Sequence, residues 1–281
     1  MSVAVFVMGA GRAGRALAGA LRASGADIVG LHARSDGALP ARIARAEVVL
    51  VTVGDRHLAG ALTELCDAPL ADGAVVLHAS GAHDPRSALD GLRAAGHPTG
   101  TFHPLVPLTD AALAPAALRG AWIGVDGDAR AIAMATRLAG VLGAQVVEIP
   151  AGAKARYHAA AVMASNFPVV LAALATSQLE AVGINPVAAR GVVMGLLSAA
   201  VEGLRVLPAR EALAGPVVRG DADTVARHLA ALEEDPEALA AYVALSWAAV
   251  ELAAAAGTDA GRLAEILTFL RRSTSPGDRR P

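Results

Sequence analysis

Near the N-terminus, Gly9-Ala10-Gly11-Arg12-Ala13-Gly14 sets three glycines at the spacing G-x-G-x-x-G, between an apolar run and a helical pattern. That context gives the spacing its meaning. The first glycine permits a tight turn out of a strand, the second lets a pyrophosphate approach the backbone, and the third lets a helix pack closely on the preceding strand. The helix N-terminus then points unpaired N–H groups and the positive end of its dipole at the bound anion. The spacing predicts a strand, turn and helix wrapped around a dinucleotide cofactor, with Gly9, Ala10, Gly11, Arg12, Ala13 and Gly14 against it.

The first half of the chain continues in the same rhythm. Apolar runs at 3–8, 27–32, 47–53, 74–77, 99–103, 122–125 and 145–149 alternate with helical patterns at 12–23, 56–65, 85–95 and 129–142, as in a parallel sheet with crossover helices. After Ile149-Pro150 the strand signals stop. Successive helices follow, broken at Gly183 to Pro186, Leu207-Pro208, Gly215 to Asp221 and Asp235-Pro236, where glycine, proline and capping residues cluster. The predicted class is α/β: an N-terminal doubly wound Rossmann domain (1–150) that binds the dinucleotide, an all-α C-terminal domain (151–270), and a disordered tail (271–281).

Composition narrows the partners. Lys plus Arg total 24 against 26 Asp plus Glu, a net charge of −2, which supplies neither a basic stripe for a nucleic-acid backbone nor a polybasic lipid anchor. A small-molecule substrate is the expectation. The stretch 157–179 lacks Lys, Arg, Asp and Glu, yet carries His158, Ser165, Asn166, Pro168 and Gln178. Those groups would need internal partners in lipid, so no membrane span is expected. One cysteine, Cys66, and an opening that runs straight into a strand suggest the cytoplasm.

The end of the second strand bears on the choice of cofactor. An NAD-selective site places an acidic residue there for the ribose 2′-hydroxyl, whereas this strand runs out as His32-Ala33-Arg34-Ser35, with Asp36 a few residues late. A guanidinium and a hydroxyl suit a 2′-phosphate, so Arg34 and Ser35 predict NADP, with NAD less favoured. Val53 and Asp55, after the third strand, are expected along the ribose and nicotinamide.

Ligands of doubly wound sheets bind beyond the carboxyl ends of the strands. There the sequence places His78-Ala79-Ser80-Gly81-Ala82-His83 and Phe102-His103-Pro104-Leu105, making Ser80 and His103 candidate catalytic residues. The histidines His78, His83, His97 and His103 match no metal-ligand spacing, and no metal is expected. On the next helix, Lys154, His158, Ala161 and Ser165 fall within an arc of about 60° at about 100° per residue. Lys154 is the chain's only lysine. His158 is the acid/base candidate, because an imidazole titrates near neutral pH. Ser165 and Asn166 are candidate substrate contacts, with Pro168 expected to kink the helix and re-aim Asn166.

The segments GAGRAG, HASGA, TFHPL, YHAAAVMASN and GPVVRGD (215–221), with Thr224 and His228, together resemble a family of Rossmann-like proteins with a helical C-terminal domain of unknown function. That family is similar in turn to the pyrroline-5-carboxylate reductase, ketopantoate reductase and 6-phosphogluconate dehydrogenase clan. The resemblance implies an NADP-binding oxidoreductase, a homodimer formed through the helical domain, and an active site between the domains. Hydroxyacid dehydrogenases of that clan carry asparagine four residues after the helix lysine, where this chain has His158. Arg219 is a candidate for a substrate carboxylate, and Asp221 reads as a helix N-cap beside it.

The expected activity is hydride transfer between NADP(H) and a small carbonyl, hydroxyacid or imine, with His158 donating the proton and Lys154 and Ser80 stabilising developing charge. A non-catalytic NADP(H) sensor would use the same glycine turn, and a deazaflavin partner is a third reading.

Overall fold

Strand β1 (Ala4–Met8) alternates strictly: Val5 and Val7 pack on one face of the sheet, Phe6 and Met8 on the other. Both faces are therefore covered, as a central parallel strand requires. A computed structural model describes residues 2–83, 89–108 and 110–274 of the chain, which forms two compact units, Met1–Phe167 and Pro168–Pro281.

In the first unit a seven-stranded sheet has the order β2-β1-β3-β4-β5-β6-β7. Its other strands are β2 (Asp27–His32), β3 (Val48–Val51), β4 (Val75–His78), β5 (Thr99–Pro104), β6 (Trp122–Gly127) and β7 (Gln145–Glu148). Helices α1 (Arg12–Ala23) and α5 (Ala129–Leu142) bury Leu17, Leu21, Ala135 and Leu138 on the face of Val5 and Val7. Helix α2 (Asp55–Cys66) and the short α3 (Asp90–Ala94) bury Leu58, Leu62 and Leu92 on the opposite face with Phe6. This is the Rossmann-like architecture expected from the alternation.

The sheet is parallel except at one pair of strands. Strands β5 and β6 are antiparallel, joined through the short α4 (Ala114–Leu118), and β7 pairs parallel to β6. The sequence gives the existence of β6 but not its direction, since a buried strand reads alike both ways. The predicted helix at 85–95 is observed only as Asp90–Ala94, and residues 84–88 lie outside the described ones.

Helix α6 (Lys154–Ser165) packs on β5 and β6 through Thr101, His103, Gly124 and Asp126, and belongs to the first unit. The end of strand signals marks where the sheet is complete; side chains of α6 tie the helix back onto it. The helix is interrupted at Asn166, beside Pro168, and resumes as α7 (Phe167–Ala181).

The second unit is helical: α8 (Pro186–Val206), the single-turn α9 (Ala209–Ala212), α10 (Ala222–Ala231), α11 (Pro236–Ala255) and α12 (Ala260–Thr274). Its starts follow capping chemistry. Asn185, Asp221 and Asp235 each accept the backbone N–H three residues on, at 3.0 Å. Val225, Leu229, Val243, Val250, Ile266 and Leu270 form its core. Helix α12 runs through Arg271 to Thr274, into the stretch expected to be tail; residues 275–281 lie outside the described ones.

Candidate active site at the carboxyl edge of the sheet

The glycine turn sits at the switch point, where β1 has β2 on one side and β3 on the other. Gly9 adopts φ +116°, donates its N–H to the His32 carbonyl at 2.8 Å, and accepts the Thr52 hydroxyl at 2.8 Å. A Cβ on Gly14 would stand 1.7 Å from the Gly9 carbonyl oxygen, and one on Gly9 2.8 Å from Thr52 Oγ1. Both glycines are demanded by the protein's own packing. Gly11 differs: it has an ordinary extended backbone (φ −72°), and a Cβ there would meet nothing within 4 Å. The chain leaves open space at the helix N-terminus, where backbone N–H groups and the helix dipole favour an anion.

Beside the turn is a cavity of about 340 Å³ lined by Gly9, His32, Arg34, Val53, Arg56 and His57, among others. Arg34 and Val53, both expected at the cofactor, line this one cavity. Arg56 adds a second guanidinium that the sequence reading missed. The Asp36 carboxylate is engaged at home: Oδ2 accepts the Ala33 N–H at 2.8 Å and lies 4.0 Å from His32 Nδ1. Ser35 sits in the same 3-10 turn and does not line the cavity. Nor does Asp55, whose carboxylate lies 3.7 Å from His83 Nδ1.

A larger cavity of about 700 Å³ is walled by His103, Tyr157, His158, Ser165 and Asn166, with Pro104, Val106, Ala161 and Val162. His158, Ala161 and Ser165 share the cavity face of α6, as their spacing predicts. The Ser165 hydroxyl lies 2.7 Å from both the Ala161 carbonyl oxygen and Asn166 Oδ1.

Lys154 departs from the expectation. It is 5% exposed and does not line this cavity; its ammonium donates to Thr101 Oγ1 and pairs with Asp126 Oδ2 at 3.5 Å. Sheet register explains the arrangement, since His78 pairs with Thr101 and Thr101 with Asp126 on consecutive strands. Thr101 Oγ1 also donates to Asp126 Oδ1 at 2.9 Å and lies 3.4 Å from His78 Nε2. A buried charge is tolerated when paired and hydrogen-bonded, and this cluster fastens the start of α6 to the sheet. Burial, then Lys154, lowers the pKa of His78 to about 3, so its imidazole is neutral.

Ser80 is likewise engaged locally. Its hydroxyl accepts the N–H groups of Ala82 and His83 at 3.3 Å and contacts His83 Nδ1 at 3.1 Å, shaping the 80–83 turn. His97 Nδ1 bonds the Ala74 carbonyl at 3.1 Å, a structural contact.

His103, in contrast, faces the cavity. Its Nδ1 lies 2.9 Å from the Tyr157 hydroxyl, and its ring meets that of His158 edge-on at 5.7 Å. Burial first, then His158 and Lys154, lowers the His103 pKa to about 4. In the second unit, Arg219 lies in the turn before α10, its carbonyl accepting Arg262 Nη1 at 3.4 Å, while Asp221 caps the helix as expected.

Residues 121–249 match a family model described as a domain of unknown function, DUF2520. No curated protein matches the chain. Solved structures do. A Bacteroides fragilis protein provisionally described as an NADP oxidoreductase is 21% identical, with a TM-score of 0.69 over 89% of this chain and 98% of that one. A Thermotoga maritima protein is 24% identical, TM-score 0.68, over 89% and 98%. The Plasmodium falciparum pyrroline carboxylate reductase, solved with NADP bound, is 11% identical, TM-score 0.60, over 94% and 98%. These likenesses establish a Rossmann-like protein with a helical C-terminal region.

Several site residues carry no signal in the sequence. Tyr157 adjoins His158, but one residue is about 100° of helix, so a search for a single polar face passes over it. Thr101 and Asp126 meet Lys154 only through strand register.

Proposed function

We propose that this protein is an NADP(H)-dependent oxidoreductase that acts on a small carbonyl, hydroxyacid or imine compound in the cavity beside His103, Tyr157 and His158. The observation that carries this reading is Gly11: it is the glycine of the turn whose Cβ would have free space around it, so its smallness serves a ligand rather than the fold. Gly9 to Gly14 hold the pyrophosphate, and Arg34 with Arg56 hold a ribose 2′-phosphate, each guanidinium offering a planar fork to phosphate oxygens. The dinucleotide, when bound, supplies or accepts the hydride. The described NADP oxidoreductase and the NADP-bound reductase among the similar folds support the same cofactor.

The chain's own groups orient the substrate and move a proton. Neutral His103 and the phenol of Tyr157 hold exchangeable protons at the cavity wall, with His158 beside them. Lys154 acts beneath this wall, through its bonds to Thr101 and Asp126, and not as a charge facing substrate.

The second unit supports a second copy of the chain as partner. Val169, Val187, Leu196, Leu204 and Val206 are each more than half exposed. By length and composition alone, the helices 154–181, 186–206 and 236–255 could cross a membrane. Arg190, Glu202 and Arg205 on α8 argue for a protein partner, since lipid tails penalise such charges.

The test is a titration with NADPH and NADH followed by nicotinamide fluorescence, with Gly11→Asp as the variant that blocks the pyrophosphate. Binding lost in the variant supports the reading and calls for NADPH-oxidation assays on 2-oxo acids and cyclic imines. No binding to wild type refutes it.

A further inference from the structure

Proton transfer at this site needs one group whose hydrogen is aimed at substrate and a second that replenishes it. The sequence points to His158 for the first role. In the structure, His158 Nδ1 is buried without a hydrogen-bond partner among the described residues, and it packs on the backbone of Gly81, where a Cβ would stand 2.4 Å away. The bonded pair at the cavity is Tyr157 with His103.

We propose that the Tyr157 hydroxyl delivers the proton to the substrate heteroatom, that His103 replenishes it, and that Gly124 is the positioning residue that admits the phenol. The proposal rests on the oxidoreductase reading above. His103 on β5 and Gly124 on β6 are cross-strand partners in the antiparallel pair. A Cβ on Gly124 would stand 2.0 Å from Tyr157 Oη and 2.6 Å from Cζ, so the phenol occupies the space a side chain would fill. From there Oη reaches His103 Nδ1 at 2.9 Å, with the two rings edge to face at 5.7 Å. Gly81 closes the other side, where a Cβ would lie 2.8 Å from His103 Nε2. Any side chain at either glycine displaces one of the rings.

The electrostatics agree. Burial, then Asp126, pushes the Tyr157 phenol up to about 12, so its proton is present throughout the working range. His103, neutral, has one ring N–H. With that hydrogen on Nδ1 it donates to Oη and leaves the phenolic O–H for the cavity.

In reduction, the reduced dinucleotide, when bound, would supply the hydride, with its electron pair, to the substrate carbon. The heteroatom forms its new bond to hydrogen as the Tyr157 O–H breaks. As His103 takes a proton from solvent at Nε2, its Nδ1 returns one to the phenolate, and exchange with solvent brings the ring hydrogen back to Nδ1. One hydride and one solvent proton are consumed per turnover.

The experiment uses Tyr157→Phe and Gly124→Ala, with Tyr242→Phe as control, Tyr242 being the only other tyrosine. Three quantities are read: NADPH affinity, oxidation of NADPH with 2-oxo acids and cyclic imines, and the His103 ring nitrogen shifts by NMR in protein without cofactor. Tyr157→Phe is expected to bind NADPH as wild type does, lose about 100-fold or more in kcat, and shift the His103 Nδ1 signal. Gly124→Ala, if folded, shifts that signal too, whereas Tyr242→Phe changes none of the three. Near wild-type kcat in Tyr157→Phe, or an unmoved His103 signal, overturns the proposal while leaving the oxidoreductase reading intact. Wild type that binds no NADPH, or binds it and turns over nothing, overturns both the proton-donor assignment and the enzymatic reading.

Discussion

The α-carbon of Gly14 lies so close to Gly9 that a methyl group on it would stand 1.7 Å from the Gly9 carbonyl oxygen and 2.5 Å from Thr52 Oγ1. Two glycines of one motif are thus fixed by packing, while Gly11 between them is not. Gly14→Ala is expected to destabilise the fold by about 1–3 kcal/mol through overpacking, read as a drop in the denaturation midpoint. Gly11→Ala is expected to cost under about 1 kcal/mol, a small loss at a helix N-cap, yet to weaken NADPH binding. If both variants lost stability equally, the distinction between packing and ligand glycines would fail.

Arg34 and Arg56 line one cavity from β2's end and from α2. Replacing either by alanine is expected to weaken NADPH by roughly tenfold, about 1.4 kcal/mol, and to leave NADH nearly unchanged, since only the former carries the 2′-phosphate. Parallel fluorescence titrations measure the ratio. An unchanged ratio in both variants would remove the arginines as selectors.

The Lys154–Asp126 pair is buried and hydrogen-bonded through Thr101. Removing one partner leaves the other charge uncompensated, and Lys154→Met or Asp126→Leu is expected to cost about 3–5 kcal/mol. The double variant should recover much of the loss. Urea denaturation of the four proteins gives the coupling directly, and additive losses would contradict a paired role.

His78 and His103 have folded pKa values of about 3 and about 4, against 6.5 for free imidazole. Below 6.5 the unfolded chain binds protons that the folded chain refuses, so stability is present above that pH and falls as pH drops toward 4. Each histidine adds a slope of up to about 1.4 kcal/mol per pH unit in this window. Denaturation at pH 7, 6, 5 and 4 should show the decline, and His103→Gln should make it shallower. A slope equal to that of wild type would exclude His103 as a contributor.

Leu196 is 68% exposed on α8. If a second copy covers this surface, Leu196→Asp places a charge in an apolar interface and converts dimer to monomer, measured by light scattering on a sizing column. A wild-type monomer at micromolar concentration would refute the dimer.

How much was legible in the sequence follows from the range of the interactions involved. Helices α1 and α5 and strand β2 fall at the residues predicted for them, because apolar periodicity, glycine turns and capping side chains act within a few residues of chain. The glycine turn is legible for the same reason: the strand, turn and helix that carry it are adjacent in the chain. The direction of β6, the burial of Lys154 and the seat of Tyr157 were decided elsewhere. Each depends on strand register bringing together residues far apart in the chain, His78 with Thr101, Thr101 with Asp126, and His103 with Gly124. The only lysine of the chain stood out by composition, but whether its charge faced a cavity or an aspartate was settled by which strand lay beneath the helix. The sequence by itself determined the elements and the glycine turn; tertiary structure decided which polar groups were consumed in holding the site and which were left to line it, because desolvation and pairing are properties of the packed chain.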